Sequence, residues 1–244
     1  MQITSEKVDM SSLKTQQEDP FVILLDNVFS DEYCQNLIDI SETTGNGFEY
    51  IYKNGVEKDP SDIYRSNKRN LIFNKELTDE IYLKIKSYLP KTFNGNNIIG
   101  MNSRLSCLKY LPGEHFIAHY DGPFMDPETK NTTCITVQIY LNDTNGGTTR
   151  FYDEYDETIF IDILPKCGQV LIFEHDLKHS GMPVYSGMKY CIRGDILYET
   201  NESSRDEYDI IHMNYDKLLT FNEFGEPDYS KLRKAMKRFD EMKK

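Results

Sequence analysis

Two histidines and one aspartate carry the clearest chemical signal in the chain. His119-Tyr120-Asp121 places an imidazole and a carboxylate two residues apart in strand-like sequence, and alternate strand side chains share a face, so both can reach one ion. His179 lies 58 residues beyond Asp121, just after the apolar run Val170-Leu-Ile-Phe173, where a facing strand can bring it to the same point. Two imidazoles and one carboxylate on one side of a metal leave its remaining positions open, the arrangement that suits non-haem Fe(II) oxygenases. Taken alone, the His-x-Asp spacing is a weak signal, better explained by a hydrogen-bonded pair at a strand end. His175 stands four residues before His179, but the strand before it and the loop-like Asp176-Leu-Lys argue against a shared helix face. It reads as a packing or supporting histidine, and His115 and His212 read as structural.

A cation extends the pattern. Lys189 comes ten residues after His179, at the start of the strand Lys189-Tyr-Cys-Ile-Arg193. It can hold the far carboxylate of a dicarboxylate co-substrate whose other end chelates the metal, or it is a solvated strand-end lysine. Arg193, on the same strand face, can serve in its place. No acid–base dyad and no Ser or Cys nucleophile stands out.

Four motifs in order then bring a family resemblance. They are Tyr110-Leu-Pro-Gly-Glu-His-Phe-Ile-Ala-His119-Tyr-Asp121, Ile139-Tyr-Leu-Asn142, Gly146-Gly-Thr-Thr-Arg-Phe151, and His179-Ser-Gly-Met-Pro-Val184 running on to Gly187-Met-Lys-Tyr190. Together they resemble the prolyl 4-hydroxylase-like branch of the 2-oxoglutarate and Fe(II)-dependent dioxygenases. The resemblance covers residues 100–199 strongly and extends weakly upstream through Tyr64-Arg-Ser-Asn-Lys-Arg69 and the opening Asp26-Asn27-Val-Phe-Ser30.

The resemblance implies that His119, Asp121 and His179 are the iron ligands and that Lys189, or Arg193, pairs with the distal carboxylate of 2-oxoglutarate. It places Tyr110 and Tyr140 beside the co-substrate, with ordinary core packing as the other reading of each. Thr136 and Gln138 share the strand face of Tyr140. The implied reaction consumes O2 and 2-oxoglutarate, releases succinate and CO2, and hydroxylates an unactivated C–H bond, with ascorbate as a reductant. A prolyl residue of a protein or peptide is the first substrate expectation, as in a procollagen-proline 4-dioxygenase. The alternatives are a small molecule or free amino acid, or a non-catalytic jelly-roll binding module with a structural metal. Arg150, after the double glycine, faces either the substrate cleft or a surface ion pair. Tyr50, Tyr52 and Tyr64, with the loop 122–132, are candidates for a substrate groove.

The elements that must position these residues are mostly strands. Phe21–Leu25 reads as a buried strand, and Ser30 as the N-cap of a helix with acidic residues in its first turn and Cys34, Leu37 and Ile38 on its buried stripe. A second helix runs from Asn74 to Tyr88, with Leu77, Ile81 and Ile85 at helical spacing and Pro90 beyond it. From residue 103 to 199 short strands alternate with Gly/Pro/Asn turns, which predicts a mostly β chain built on a double-stranded β-helix, or jelly roll, with flanking helices. The expected organisation is a flexible segment 1–18, a helix/strand support region 19–102, the jelly-roll core 103–199, and a charged extension 200–244. The last includes an amphipathic helix over Tyr229–Lys244.

Composition narrows the partners. The 244-residue chain carries a formal net charge of −12, a poor balance for neutralising nucleic-acid phosphates or an anionic membrane. That charge favours a basic or neutral polypeptide substrate. Hydrophobic residues at 39% and aromatics at 12% exclude wholesale disorder. The five cysteines are widely spaced with no CxxC pair, unlike a zinc ribbon or disulfide framework. The first residues show no basic head followed by an apolar run, and no stretch reaches membrane-helix length, so a reduced cytoplasmic protein is expected. Oligomeric state is not legible.

Overall fold

In the computed structural model, the alternation of apolar and polar residues between 103 and 199 becomes two facing antiparallel sheets. The described residues are 2–50, 65–93, 95–125, 129 and 131–199, with 220–221 and 227–228 in the C-terminal segment. Numbered along the chain, the main sheet runs β1 (Thr4–Lys7), β2 (Val22–Asp26), β13 (Val170–Glu174), β9 (Thr132–Tyr140), β16 (Lys189–Tyr198), β7 (Arg104–Tyr110), β4 (Lys68–Phe73) and β3 (Glu49–Tyr50). Off this path β6 (Asn96–Met101) pairs with β16, and β5 (Thr92–Phe93) pairs with β6. A smaller sheet has the order β12 (Phe160–Ile163), β11 (Thr149–Tyr152), β14 (His179–Gly181) and β8 (Phe116–His119). The short strands β10 (Asn145–Gly146) and β15 (Val184–Ser186) pair beside them.

Strand periodicity divides the side chains of the main sheet between two cores. Ile135, Val137, Ile139, Val170, Ile172, Leu105 and Ile192 point to the helix side. Tyr140, Leu171, Phe173, Leu108, Tyr110 and Cys191 point inward and meet Phe151, Ile163 and Val184. The inward set is the jelly-roll interior. Its polar members line the site described below.

Both sequence-read helices form, the first where its Ser30 cap predicts and the second one residue after its expected start. Helix α1 (Asp31–Thr43) is capped by Ser30, whose side chain accepts the Tyr33 N–H at 3.2 Å, and it buries Cys34 and Leu37. Helix α2 (Lys75–Ile85) is capped by Asn74, which accepts from Leu77 N at 3.0 Å, and buries Ile81 and Ile85 before a 3-10 turn over Lys86–Tyr88. Gly168 ties the chain ahead of α1 to the main sheet. Its carbonyl accepts the N–H groups of Val28 and Phe29 at 3.1 and 3.2 Å. Its φ is +75°, and a Cβ there would lie 2.0 Å from the Phe29 carbonyl oxygen, so only glycine allows this approach.

Residues 1–18 depart from their expected flexibility. The polar sequence Thr-Ser-Glu-Lys forms the edge strand β1 on β2, and Met10 and Leu13 are buried in the jelly-roll interior. Two widely spaced apolar residues give no periodic signal, and a four-residue edge strand needs none, since its backbone bonds to β2 suffice. Strand β4 also forms where the sequence reading placed no element, because charged residues interrupt its apolar run. Residues 1–199 form one compact unit and 200–244 another. Within the latter, Thr220–Phe221 pairs antiparallel with Pro227–Asp228, and the expected helix over Tyr229–Lys244 lies outside the described residues, as do His212, Tyr52 and Tyr64. Among the described residues no helix is long and apolar enough to cross a membrane.

Candidate metal and co-substrate site

The two histidines reach each other because their strands are neighbours. His119 ends β8, His179 begins β14, and the two are register partners. Their rings stand 4.3 Å apart between centroids. Asp121 follows two residues after His119, with Oδ1 4.0 Å from His119 Nε2 and Oδ2 3.7 Å from His179 Nε2. One ligand atom from each residue falls within 4.8 Å of the others, so a single ion can touch all three.

The imidazoles are prepared for that contact. His119 Nδ1 lies 2.8 Å from the Ile117 carbonyl and His179 Nδ1 2.8 Å from the Leu177 carbonyl. Nδ1 therefore carries the proton in each ring, and the Nε2 lone pairs face Asp121. Burial holds both histidine pKa values below their ordinary range, which favours the neutral, ligating form. The ring of Phe116 stacks on His119 with centroids 3.6 Å apart. This buried, preoriented set of two nitrogens and a carboxylate fits a divalent transition-metal ion.

Asp121 is itself held from behind. Thr136 Oγ1 donates to Oδ2 at 2.5 Å, and Arg193 approaches with Nε 3.2 Å from Oδ2 and Nη2 3.2 Å from Oδ1. Burial alone would raise the Asp121 pKa, but the Arg193 guanidinium and the nearby histidines more than offset it and hold the carboxyl well below its usual range. Arg193 Nη2 also lies 2.8 Å from Asp195 Oδ1, and His175 Nε2 lies 3.3 Å from the same oxygen. The His175 carbonyl accepts the Asp121 N–H at 3.0 Å. His175 is thus a supporting residue behind the cluster.

Lys189 is placed differently. It is 1% exposed, and its Nζ donates to the Gly147 carbonyl at 2.7 Å while lying 5.1 Å from the Tyr110 ring centroid and 5.5 Å from that of Tyr140. No carboxylate among the described residues pairs with it. Burial pushes its pKa down from the ordinary lysine value, so an anion arriving at Nζ would stabilise the ammonium. Lys189, Tyr110, Thr149, His119, Asp121 and His179 all line one cavity of about 170 Å3. That volume is well under the roughly 300–1,000 Å3 of pockets that enclose a drug-sized ligand, and suits a small molecule with a projecting side chain.

Residues 105–194 match the family model of the 2OG-Fe(II) oxygenase superfamily. The matched segment holds His119, Asp121, His179, Lys189 and Arg193. A search of curated proteins finds no match. Among solved structures, the chain is similar to a viral collagen prolyl hydroxylase from Paramecium bursaria Chlorella virus-1 in its 2OG complex. The TM-score is 0.52 and the identity 24%, over 72% of this chain and 95% of that one. A Trichoplax adhaerens prolyl hydroxylase, in complex with a peptide fragment of the hypoxia inducible factor oxygen degradation domain, matches with TM-score 0.50 and 20% identity. That match covers 71% of this chain and 77% of the other. A Pseudomonas putida prolyl-4-hydroxylase matches with TM-score 0.50 and 16% identity over 74% and 93% of the two chains. At these identities the shared property is the fold.

The jelly roll thus assembles most of the residues singled out from sequence, but sorts them. Tyr110 lines the cavity, and its hydroxyl has no hydrogen-bond partner among the described residues. Tyr140 is fully buried behind Thr149, to which its hydroxyl donates at 2.7 Å, while Gln138 Nε2 donates to the same oxygen at 3.0 Å. Arg150 forms a two-pronged pair with Asp162, at 2.8 and 2.7 Å, and lies over Phe160, which settles it as a surface ion pair. Tyr50 donates to Glu114 Oε1 at 3.1 Å. The lining residues that sequence reasoning left unassigned include Arg65, Arg69, Thr149 and Phe116. The two arginines sat inside the upstream Tyr64–Arg69 motif, and Phe116 three residues before His119, so spacing alone held a usable signal for them.

Proposed function

We propose that the chain is a 2-oxoglutarate- and Fe(II)-dependent dioxygenase that hydroxylates a prolyl residue of a protein or peptide. In this reading His119, Asp121 and His179 hold the iron, and Lys189 takes the distal carboxylate of 2-oxoglutarate, with Tyr110 donating beside it. The observation that carries the reading is the buried Lys189 ammonium, which faces the same cavity as the His/Asp/His cluster with the Gly147 carbonyl as its one hydrogen-bond partner among the described residues. A buried cation with no counter-charge is costly unless an anion joins it, and a structural metal in a binding module has no use for one. Arg193 is the weaker candidate for this role because Asp121 and Asp195 already engage it.

When bound, iron and 2-oxoglutarate together supply the dioxygen activation that converts an unactivated C–H bond to C–OH, leaving succinate and CO2. The chain's own residues do the rest. The Ile117 and Leu177 carbonyls fix the histidine tautomers, and Thr136 with Arg193 fixes the rotation of the Asp121 carboxylate. Phe116 and Leu108 give the polar site an apolar border that excludes water.

Anaerobic titration of the protein with Fe(II) and then 2-oxoglutarate tests the cofactor reading. The weak visible charge-transfer band of the chelate is expected only with both additions. It should vanish in His119→Ala and weaken in Lys189→Ala. A folded protein that gives no band would return the site to a structural metal. Succinate release with ascorbate present as reductant, measured across prolyl peptides, free amino acids and small acids, then tests the prolyl substrate.

A further inference from the structure

The cavity carries more positive charge than the proposed cofactor chemistry uses. Its charged lining is Arg65, Arg69, Lys189 and Arg193 against Asp121, in a chain whose net charge is −12. Arg193 is held between Asp121 and Asp195, and Lys189 is committed to the co-substrate in the reading above. Arg65 lies over the Phe116 ring at 4.3 Å and donates from Nε to Asn67 Oδ1 at 2.7 Å. Arg69 is left over.

Strand register fixes where Arg69 points. On β4 it is the partner of Leu108, which pairs with Cys191 on β16, which in turn pairs with Tyr140 on β9. This row faces the jelly-roll interior and continues beyond Arg69 only to Glu49 on the edge strand β3, so Arg69 is its last member at the cavity wall. Among the described residues Arg69 has no hydrogen-bond or carboxylate partner. Glu49, its register partner on β3, makes no ion pair with it, and the like-charged Arg104 and Arg193, after burial, push its pKa down. A half-buried guanidinium beside like charges is best satisfied by a planar anion that accepts two parallel N–H bonds.

We infer that Arg69 selects a substrate that carries a carboxylate next to the carbon to be hydroxylated. The inference rests on the oxygenase reading and narrows its substrate class. It also reverses the expectation drawn from net charge, because the cavity and the whole surface have opposite signs. The carboxylate comes either from an acidic residue flanking the target or from a chain terminus or free amino acid.

Equilibrium binding separates these sources. Full-length protein loaded anaerobically with Fe(II) and 2-oxoglutarate is titrated into a labelled prolyl peptide with Glu beside the proline, and into its Gln counterpart, with anisotropy as the readout. Free L-proline and a peptide ending in a prolyl carboxylate serve as competitors, against their amides. A charge-assisted hydrogen bond worth about 1.5–3 kcal/mol corresponds to about tenfold or more. One carboxylate-bearing ligand should therefore bind about tenfold tighter than its neutral counterpart. Arg69→Gln should abolish that difference while leaving the charge-transfer band intact, and Arg69→Lys should retain part of it. The ligand that shows the difference identifies the source. Equal affinities for acid and neutral ligands, or a difference unchanged in Arg69→Gln, with the band present, would overturn the role of Arg69 alone. Absence of the band in the unmodified protein would overturn the oxygenase reading and this inference with it.

Discussion

Arg193 grips Asp121 with two nitrogens, Nε 3.2 Å from Oδ2 and Nη2 3.2 Å from Oδ1. That guanidinium is therefore engaged in positioning a proposed metal ligand, which leaves Lys189 as the proposed anchor of the co-substrate.

This division of labour predicts two separable defects. Lys189→Met keeps the buried volume and removes the ammonium, so KM for 2-oxoglutarate should rise about tenfold or more while iron affinity changes little. Arg193→Gln should instead weaken iron binding. Parallel titrations with Fe(II) and with 2-oxoglutarate check both; a larger 2-oxoglutarate defect in Arg193→Gln would reassign the anchor.

The two tyrosines should likewise separate. Tyr110→Phe removes a hydroxyl from the cavity and should raise KM for 2-oxoglutarate by about 2–10-fold, the worth of one neutral hydrogen bond. Tyr140→Phe removes a buried bond to Thr149, whose oxygen keeps Gln138 as partner. It should cost about 1 kcal/mol, or about 2–4 °C in Tm, with KM near the unmodified value. Steady-state kinetics beside thermal melts distinguish them.

Arg150 should prove irrelevant to turnover. Its pair with Asp162 is partly exposed, so Arg150→Ala should cost no more than about 1 kcal/mol and leave kcat/KM unchanged for any substrate found. A substantial loss of kcat/KM at unchanged Tm would put Arg150 back in the substrate cleft.

Glu174 makes stability pH-dependent. It is 2% exposed, accepts the Phe21 N–H at 2.6 Å, and faces Asp19, Asp176 and Tyr198; burial and the two carboxylates push its pKa up to about 7. Between the ordinary carboxylate pKa and that value the folded chain holds a proton the unfolded chain has lost, so stability falls as pH rises through the window. Tm should drop from about pH 5 to pH 8 in the unmodified protein, and less in Glu174→Gln. Equal slopes in the two proteins would show that Glu174 is not the source.

Local signals were legible in the sequence and long-range ones were not. Ser30 announces its helix because a cap is a contact within three residues, and Leu77, Ile81 and Ile85 announce the second by helical spacing. His119 and Asp121 announce one face because strand alternation is local too. The engagement of Arg193 depends on Asp121 and Asp195 meeting it from a loop and from its own strand, which no spacing reveals. Tyr140 and Thr149 likewise meet only when the two sheets close. Arg69 went unassigned because β4 mixes Lys, Arg and Asn with its apolar residues, and a strand recognised by hydrophobic alternation alone is invisible there.

The outermost strand of the main sheet, β1, exposes all four of its side chains, Thr4, Ser5, Glu6 and Lys7. Beneath it β2 carries Val22 and Leu25, both fully buried. An uncovered β2 would offer incoming chains a sticky template of open backbone groups along an apolar ribbon. The short polar strand acts as a selvedge, finishing the sheet so that further strands gain little by joining. Removing the first twenty residues is therefore a recipe for precipitation as much as for loss of stability.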